Sequence, residues 1–221
     1  GAYIPDVIIF TCFDTISFIT QVKGFIRYPC LVMNHNNLDF GNSRLKKSIF
    51  KLLPKSVVHC CFEQYICDYV SKEFGFHANL VPHPVYDTSS PKENFNLREI
   101  SKGTTWIFAP SGSNKKYLLE LFIKKKPVEW FFVGKLEGIS RKDTISRLWF
   151  KDYTAMLASC SAVFIGHKFY NRVSGIFYEA LGMKKQVIIP RCKFSIEMKK
   201  KYPSFVHILE DGVGEISLRT P

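Results

Sequence analysis

Short apolar runs alternate along this chain with longer stretches in which apolar residues recur every three or four positions. Residues 7–10, 30–33, 57–61 and 80–81 read as strands in the first part, and 105–109, 130–133, 162–165 and 187–189 in the second. Between them, residues 15–25, 43–53, 63–74, the stretch from 114 to about 124, 150–159 and 174–182 have helical periodicity. Pro54, Gly75 and Gly182 mark helix ends. In 43–53 the pattern predicts that Leu45, Ile49, Leu52 and Leu53 face one way and Arg44, Lys47 and Lys51 the other. Strands alternating with helices predict α/β packing on mostly parallel sheets, with ligands at the carboxyl ends of the strands. The polar, turn-rich segment DTSSPKENFNLREISKG (87–103) divides the pattern into a domain over 1–86 and another over 104–221.

Composition sharpens this picture in three ways. The 221 residues are 46% hydrophobic with 20 Phe, enough for real cores and unlike a disordered chain. No apolar run reaches the ~18 residues of a membrane span, and the opening GAYIPDVIIF lacks a basic leader, so a cytoplasmic protein is expected. Seven Cys are present, an odd number without a CxxC pair; this disfavours disulfides and zinc and fits reduced, apolar thiols in a reducing compartment. Net charge is +12, which suits a polyanionic partner or phosphate groups on a ligand, and equally suits a merely soluble surface. Nucleic acid is disfavoured as a partner, because the Lys clusters are not interleaved with aromatics in one stripe and no recognition motif is present.

Two loops carry candidate chemistry. The 162–165 strand ends at Gly166-His167, and the loop 168–173 leads to Ser174, a good N-cap, and Gly175, where a ligand can approach the backbone. The first N–H groups of the following helix have no intrahelical partner and lie at its positive end, a ready phosphate site. Glu179, about one turn further in, can accept two hydrogen bonds from a vicinal diol such as a ribose. The other reading of Glu179 is an acid on the exposed face of a crossover helix. After the 105–109 strand, Ser111-Gly112-Ser113-Asn114-Lys115-Lys116 combines small residues with two cations but has neither Walker nor GxGxxG spacing. It also reads as an ordinary turn before a helix. Both loops follow strands of one predicted sheet, so they can converge on one ligand.

WIFAPSGSNKK (106–116), WFFVGKLEG (130–138), YTAMLASCSAVFIG (153–166) and NRVSGIFYEALGMKKQVIIP (171–190) together resemble the donor domain of GT-B glycosyltransferases, nearest to the retaining Glu-x7-Glu family. The resemblance is good over about 104–192 and looser over 1–86, where PDVIIF, YPCLVMNHNN and HPV (83–85) match. It implies two Rossmann-like domains, the N-terminal one incomplete because the first strands and their Gly-rich loop would precede Pro5. It implies that Glu179 is the second motif acid, on the ribose, and that Asn171 stands at the first motif position, where the family has a sugar-contacting acid. Ser174 and Gly175 would meet the diphosphate, Lys116 or Lys115 would neutralise it as it leaves, and Gly134 would match the glycine ending the second strand.

The expected activity is metal-independent transfer of a hexose from a nucleotide-diphosphate sugar, as substrate rather than cofactor, to a glycan or lipid-linked acceptor. Fixed N–H groups and a Lys would stabilise the departing diphosphate. Asp14 and Asp39 are isolated acids, not a DxD pair. His35, at the end of the second strand, is the acceptor-side catalytic candidate, and His167 the candidate beside the donor sugar. The basic face of residues 44–55 has an alternative use on an anionic membrane surface at the inner leaflet. The competing reading is a non-catalytic GT-B-like binding or scaffold module, which the uncharged Asn171 favours.

Overall fold

The computed structural model describes residues 4–11, 14–22, 28–35, 38–40, 43–85, 100, 104–112, 114–124, 130–136, 138–209 and 218. They fall into two compact units: Gly1–Pro84 with Phe169–Val173, and Val85–Lys168 with Ser174–Pro221. The segment read as a linker, 87–103, lies outside the described residues apart from Ile100.

In the first unit, β1 (Ile8–Phe10), α1 (Thr15–Val22), β2 (Cys30–Asn34), α2 (Arg44–Phe50), β3 (Val58–Cys61), α3 (Gln64–Phe74) and β4 (Ala78–Leu80) alternate. The strands form a parallel sheet in the order β1-β2-β3-β4. Asp14, isolated in the sequence, caps α1: its Oδ1 accepts the N–H of Ile16 at 3.0 Å and of Ser17 at 3.2 Å. Gly75 ends α3 in the left-handed conformation (φ 64°), and Lys55 Nζ donates to the Phe74 carbonyl at 2.6 Å. The expected apolar stripe of α2 is corrected. Phe50 and Leu53 are buried, whereas Leu45 and Leu52 are 67% and 72% exposed. The helix is only seven residues long and its last buried side chain is Phe50, so it docks by its C-terminal end. Phe50 packs against Phe74, Phe76 and the buried ring of His59.

The second unit contains β5 (Trp106–Ala109), α4 (Lys115–Lys124), β6 (Phe131–Gly134), β7 (Thr144–Ser146), α5 (Tyr153–Ser159), β8 (Ala162–Phe164), α6 (Gly175–Gly182), β9 (Gln186–Pro190), α7 (Lys193–Lys201) and β10 (Val206–Leu209). Its six strands are parallel and ordered β10-β9-β8-β5-β6-β7. Counted within the unit, this is the doubly wound 3-2-1-4-5-6 order of a Rossmann-like fold, with the strand order reversing between β5 and β8. Both faces of the sheet are buried, as parallel sheets require. Ile107, Phe132, Phe164 and Ile188 line one face with Leu118 and Leu121 of α4. Phe108, on the other face, meets Phe150 and Tyr153.

The protein is therefore α/β with two parallel sheets. Six cysteines among the described residues are free and buried. Burial pushes the Cys160 thiol up to about 12, so it packs as a small hydrophobe rather than a thiolate. Among the described residues, no helix is long and apolar enough to cross a membrane.

Candidate functional site

The reversal of strand order between β5 and β8 opens a crevice at their carboxyl ends, and the two loops singled out by sequence leave from these strands. They meet: the Asn114 N–H donates to the Gly166 carbonyl at 3.1 Å. Asn114 also starts α4, its Oδ1 accepting the Lys116 N–H at 3.0 Å. From the other side, Lys168 Nζ lies 5.5 Å from the centre of the Tyr117 ring on α4. The loops that follow β5 and β8 are thus linked to each other within one sheet.

Gly112 and Gly175 both have free space where a side chain would project. A backbone with nothing in front of it can be approached to hydrogen-bonding distance by a phosphate. Gly134 differs. A Cβ there would lie 2.1 Å from the Ala109 carbonyl oxygen, so this glycine serves the close packing of β5 and β6.

Ser174 caps α6 as its sequence predicts: it is extended (φ −113°, ψ 115°), and its Oγ accepts the Phe177 N–H at 3.4 Å. The N–H groups of Gly175 and Ile176 remain at the positive tip of the helix. Glu179 lies about 6 Å further along the axis at ~1.5 Å per residue and is exposed. One residue that sequence reasoning missed acts on it. Tyr153, on α5, donates its hydroxyl to Glu179 Oε2 at 2.5 Å. Burial, and then the bond to Glu179, push the Tyr153 phenol well above its usual range, so it remains a donor. This fixes one carboxylate oxygen and leaves lone pairs on the other. No spacing rule connects positions 153 and 179; only the fold, which brings the helices before and after β8 together, does.

The remaining candidates are distributed as follows. Ser111 and His167 are half-buried at the ends of their strands, and Lys116 is exposed on the first turn of α4. Ser113 and the side chain of Lys115 lie outside the described residues. His35 belongs to the first unit, just past β2, with its ring 5.4 Å from that of Phe62 and 6.3 Å from that of His83. Asn171 also falls in the first unit, within the Phe169–Val173 piece. That piece is held there by Tyr65 Oη, which donates to the Arg172 carbonyl at 3.3 Å, and by Arg172 Nε, 3.1 Å from Asp39 Oδ2. The latter contact is an ion pair without an aligned hydrogen bond. Asp39, isolated in the sequence, is thus engaged in charge pairing.

Asn171 lines a cavity of about 720 Å³ in this unit, with Asp39, Arg44, Lys47, Tyr69 and Tyr170. Compared with known proteins, the chain matches no family model and no curated relative, so the reading of the site rests on its own geometry.

Proposed function

We propose that the protein is a glycosyltransferase of GT-B type that binds a nucleotide-diphosphate sugar in its second unit. One observation carries the reading: the β5 and β8 loops are joined by the Asn114–Gly166 hydrogen bond at the strand-order reversal, with free space over Gly112 and Gly175. A diphosphate would sit between these two backbones, against the positive end of α6. The ribose would lie on Glu179, one turn along, whose orientation Tyr153 fixes.

Transfer breaks the bond between the sugar C1 and the diphosphate oxygen and forms one from C1 to an acceptor hydroxyl, whose proton departs. Negative charge grows on the leaving diphosphate. The α6 N–H groups and the Lys116 ammonium would stabilise it without reorganising. No metal enters this scheme. His35 remains the acceptor-side candidate for the departing proton.

A second reading, a binding module without turnover, is favoured by the neutral amide of Asn171 where the resembling family has an acid. Release of nucleoside diphosphate from a panel of nucleotide sugars separates the two. The transferase reading predicts release that Glu179→Ala slows by about 10- to 100-fold at limiting donor. Tight binding of the donor without release, with acceptor glycans supplied, assigns the module instead.

A further inference from the structure

The cavity around Asn171 contains polar groups that the fold does not use for itself. Its lining carries two cations and one anion, Arg44, Lys47 and Asp39, and the last two are paired with Glu73 and Arg172, which lie outside the lining. The pairs are Lys47 with Glu73 at 2.8 Å and Asp39 with Arg172 at 3.1 Å. Arg44 is left over. It makes no ion pair or hydrogen bond among the described residues, and neither do the Asn171 amide or the Tyr69 hydroxyl. Tyr170, 50% exposed, adds an aromatic face.

An apolar ligand would leave the amide, the hydroxyl and the guanidinium unmatched, at the desolvation cost of each. A polyhydroxylated ligand matches them. Amide and phenol each donate and accept hydrogen bonds, as neighbouring sugar hydroxyls require. An aromatic ring, with its negative face, takes the C–H side of a pyranose. The unpaired guanidinium is a fork for a carboxylate or a phosphate. A volume of about 720 Å³ is within the range of small-ligand sites.

We infer that this cavity binds an anionic sugar, one bearing a carboxylate or a phosphate, with Arg44 on the charge and Asn171 and Tyr69 on the hydroxyls. The inference uses residues of the first unit alone and does not rest on nucleotide binding by the second.

The test is an NMR titration of the isotopically labelled full chain with methyl glucuronide, glucose 6-phosphate, methyl glucoside and inorganic phosphate. At least one charged sugar is expected to shift the amides of Arg44, Tyr69 and Asn171 and to bind about tenfold more tightly than methyl glucoside, the gain from one charge-assisted contact. Which charged sugar binds distinguishes a uronate from a sugar phosphate. Arg44→Gln, at an exposed position, should erase the preference while leaving the melting temperature unchanged, and Tyr69→Phe should weaken charged and neutral sugars alike. Equal affinity for neutral and charged sugars, inorganic phosphate binding as tightly as glucose 6-phosphate, or an unchanged preference in Arg44→Gln would overturn the inference. A parallel titration with nucleoside diphosphates reads the second unit separately, and Arg44→Gln should leave it unaltered.

Discussion

The hydroxyl of Tyr153 and the carboxylate of Glu179 are 2.5 Å apart, and they join the helices before and after β8. A carboxylate on an exposed helix face ordinarily samples several rotamers; this one has an oxygen fixed by a phenol that burial keeps protonated. A hydrogen bond to a charged group contributes roughly 1.5–3 kcal/mol. Glu179→Ala is therefore expected to weaken nucleotide diphosphate binding by about 10- to 100-fold. Tyr153→Phe should weaken it less, by about 3- to 10-fold, because the carboxylate remains but is no longer oriented. Isothermal titration of both variants checks the order.

The three glycines at the strand ends should separate into two behaviours. Gly134→Ala drives a methyl against the Ala109 carbonyl and is expected to destabilise the protein by about 3 kcal/mol or more. Gly112→Ala and Gly175→Ala meet open space at ordinary backbone angles and should change stability by less than about 1 kcal/mol. Their methyls would nevertheless occupy the space that the proposed function gives to the diphosphate, so nucleotide affinity should fall at least about tenfold. Denaturant melts and nucleotide titrations on the same three variants check the division.

His59 gives the fold an acid-sensitive point. Its ring is fully buried, its Nδ1 lies 3.2 Å from Asn34 Nδ2, and its Nε2 has no hydrogen-bond partner among the described residues. Burial, then the Lys55 charge, lower its pKa from 6.5 to about 4. The unfolded chain thus takes up a proton below about pH 6.5 that the native state refuses until about pH 4. Stability is fully present above 6.5 and falls progressively between 6.5 and 4, by up to roughly 3 kcal/mol. His59→Gln, which does not titrate, should remove this component from a urea-melt pH series and leave the slope due to carboxylates.

The end of α6 contains a correctable mismatch. Gly182 ends the helix, as the sequence reading has it, but the left-handed conformation that follows falls on Lys184 (φ 57°) and not on a glycine. The Lys185 N–H bonds to the Ala180 carbonyl at 2.8 Å and the Lys184 N–H to the Leu181 carbonyl at 2.9 Å, the paired bonds of a Schellman end. Lys184→Gly, at an exposed position, should relieve the side-chain strain and stabilise the protein by about 1 kcal/mol. Thermal unfolding checks this.

These cases show which parts of the architecture were legible. Strands buried on both faces, such as Ile107-Phe108 and Val187-Ile188-Ile189, read as continuous apolar runs, and caps such as Ser174 act locally, so neither depends on distant contacts. β7, α7 and β10 do not stand out in the sequence pattern. Thr144-Ile145-Ser146 is a three-residue edge strand with little apolar character, and α7 carries so many lysines that its buried Phe194 and Met198 do not stand out. Of the candidate site, the residues at strand ends and the helix cap were legible because strand order determines where loops gather. Tyr153 and the cavity around Asn171 were not, because each depends on side chains brought together by packing across elements.

The central claim is that the joined β5 and β8 loops grip a nucleoside diphosphate. A thermal-shift panel of UDP, GDP, ADP and CDP, each free and as a nucleotide sugar, tests it most directly. A ligand at about 100 times its Kd stabilises the native state by about 2.7 kcal/mol, or about 5–10 °C for a chain of this size. The account predicts such a rise for at least one nucleotide family in the native protein and, at the same ligand concentration, its reduction to about half or less in Glu179→Ala and Gly175→Ala. No rise with any member of the panel, or a rise that both variants retain in full, would contradict it.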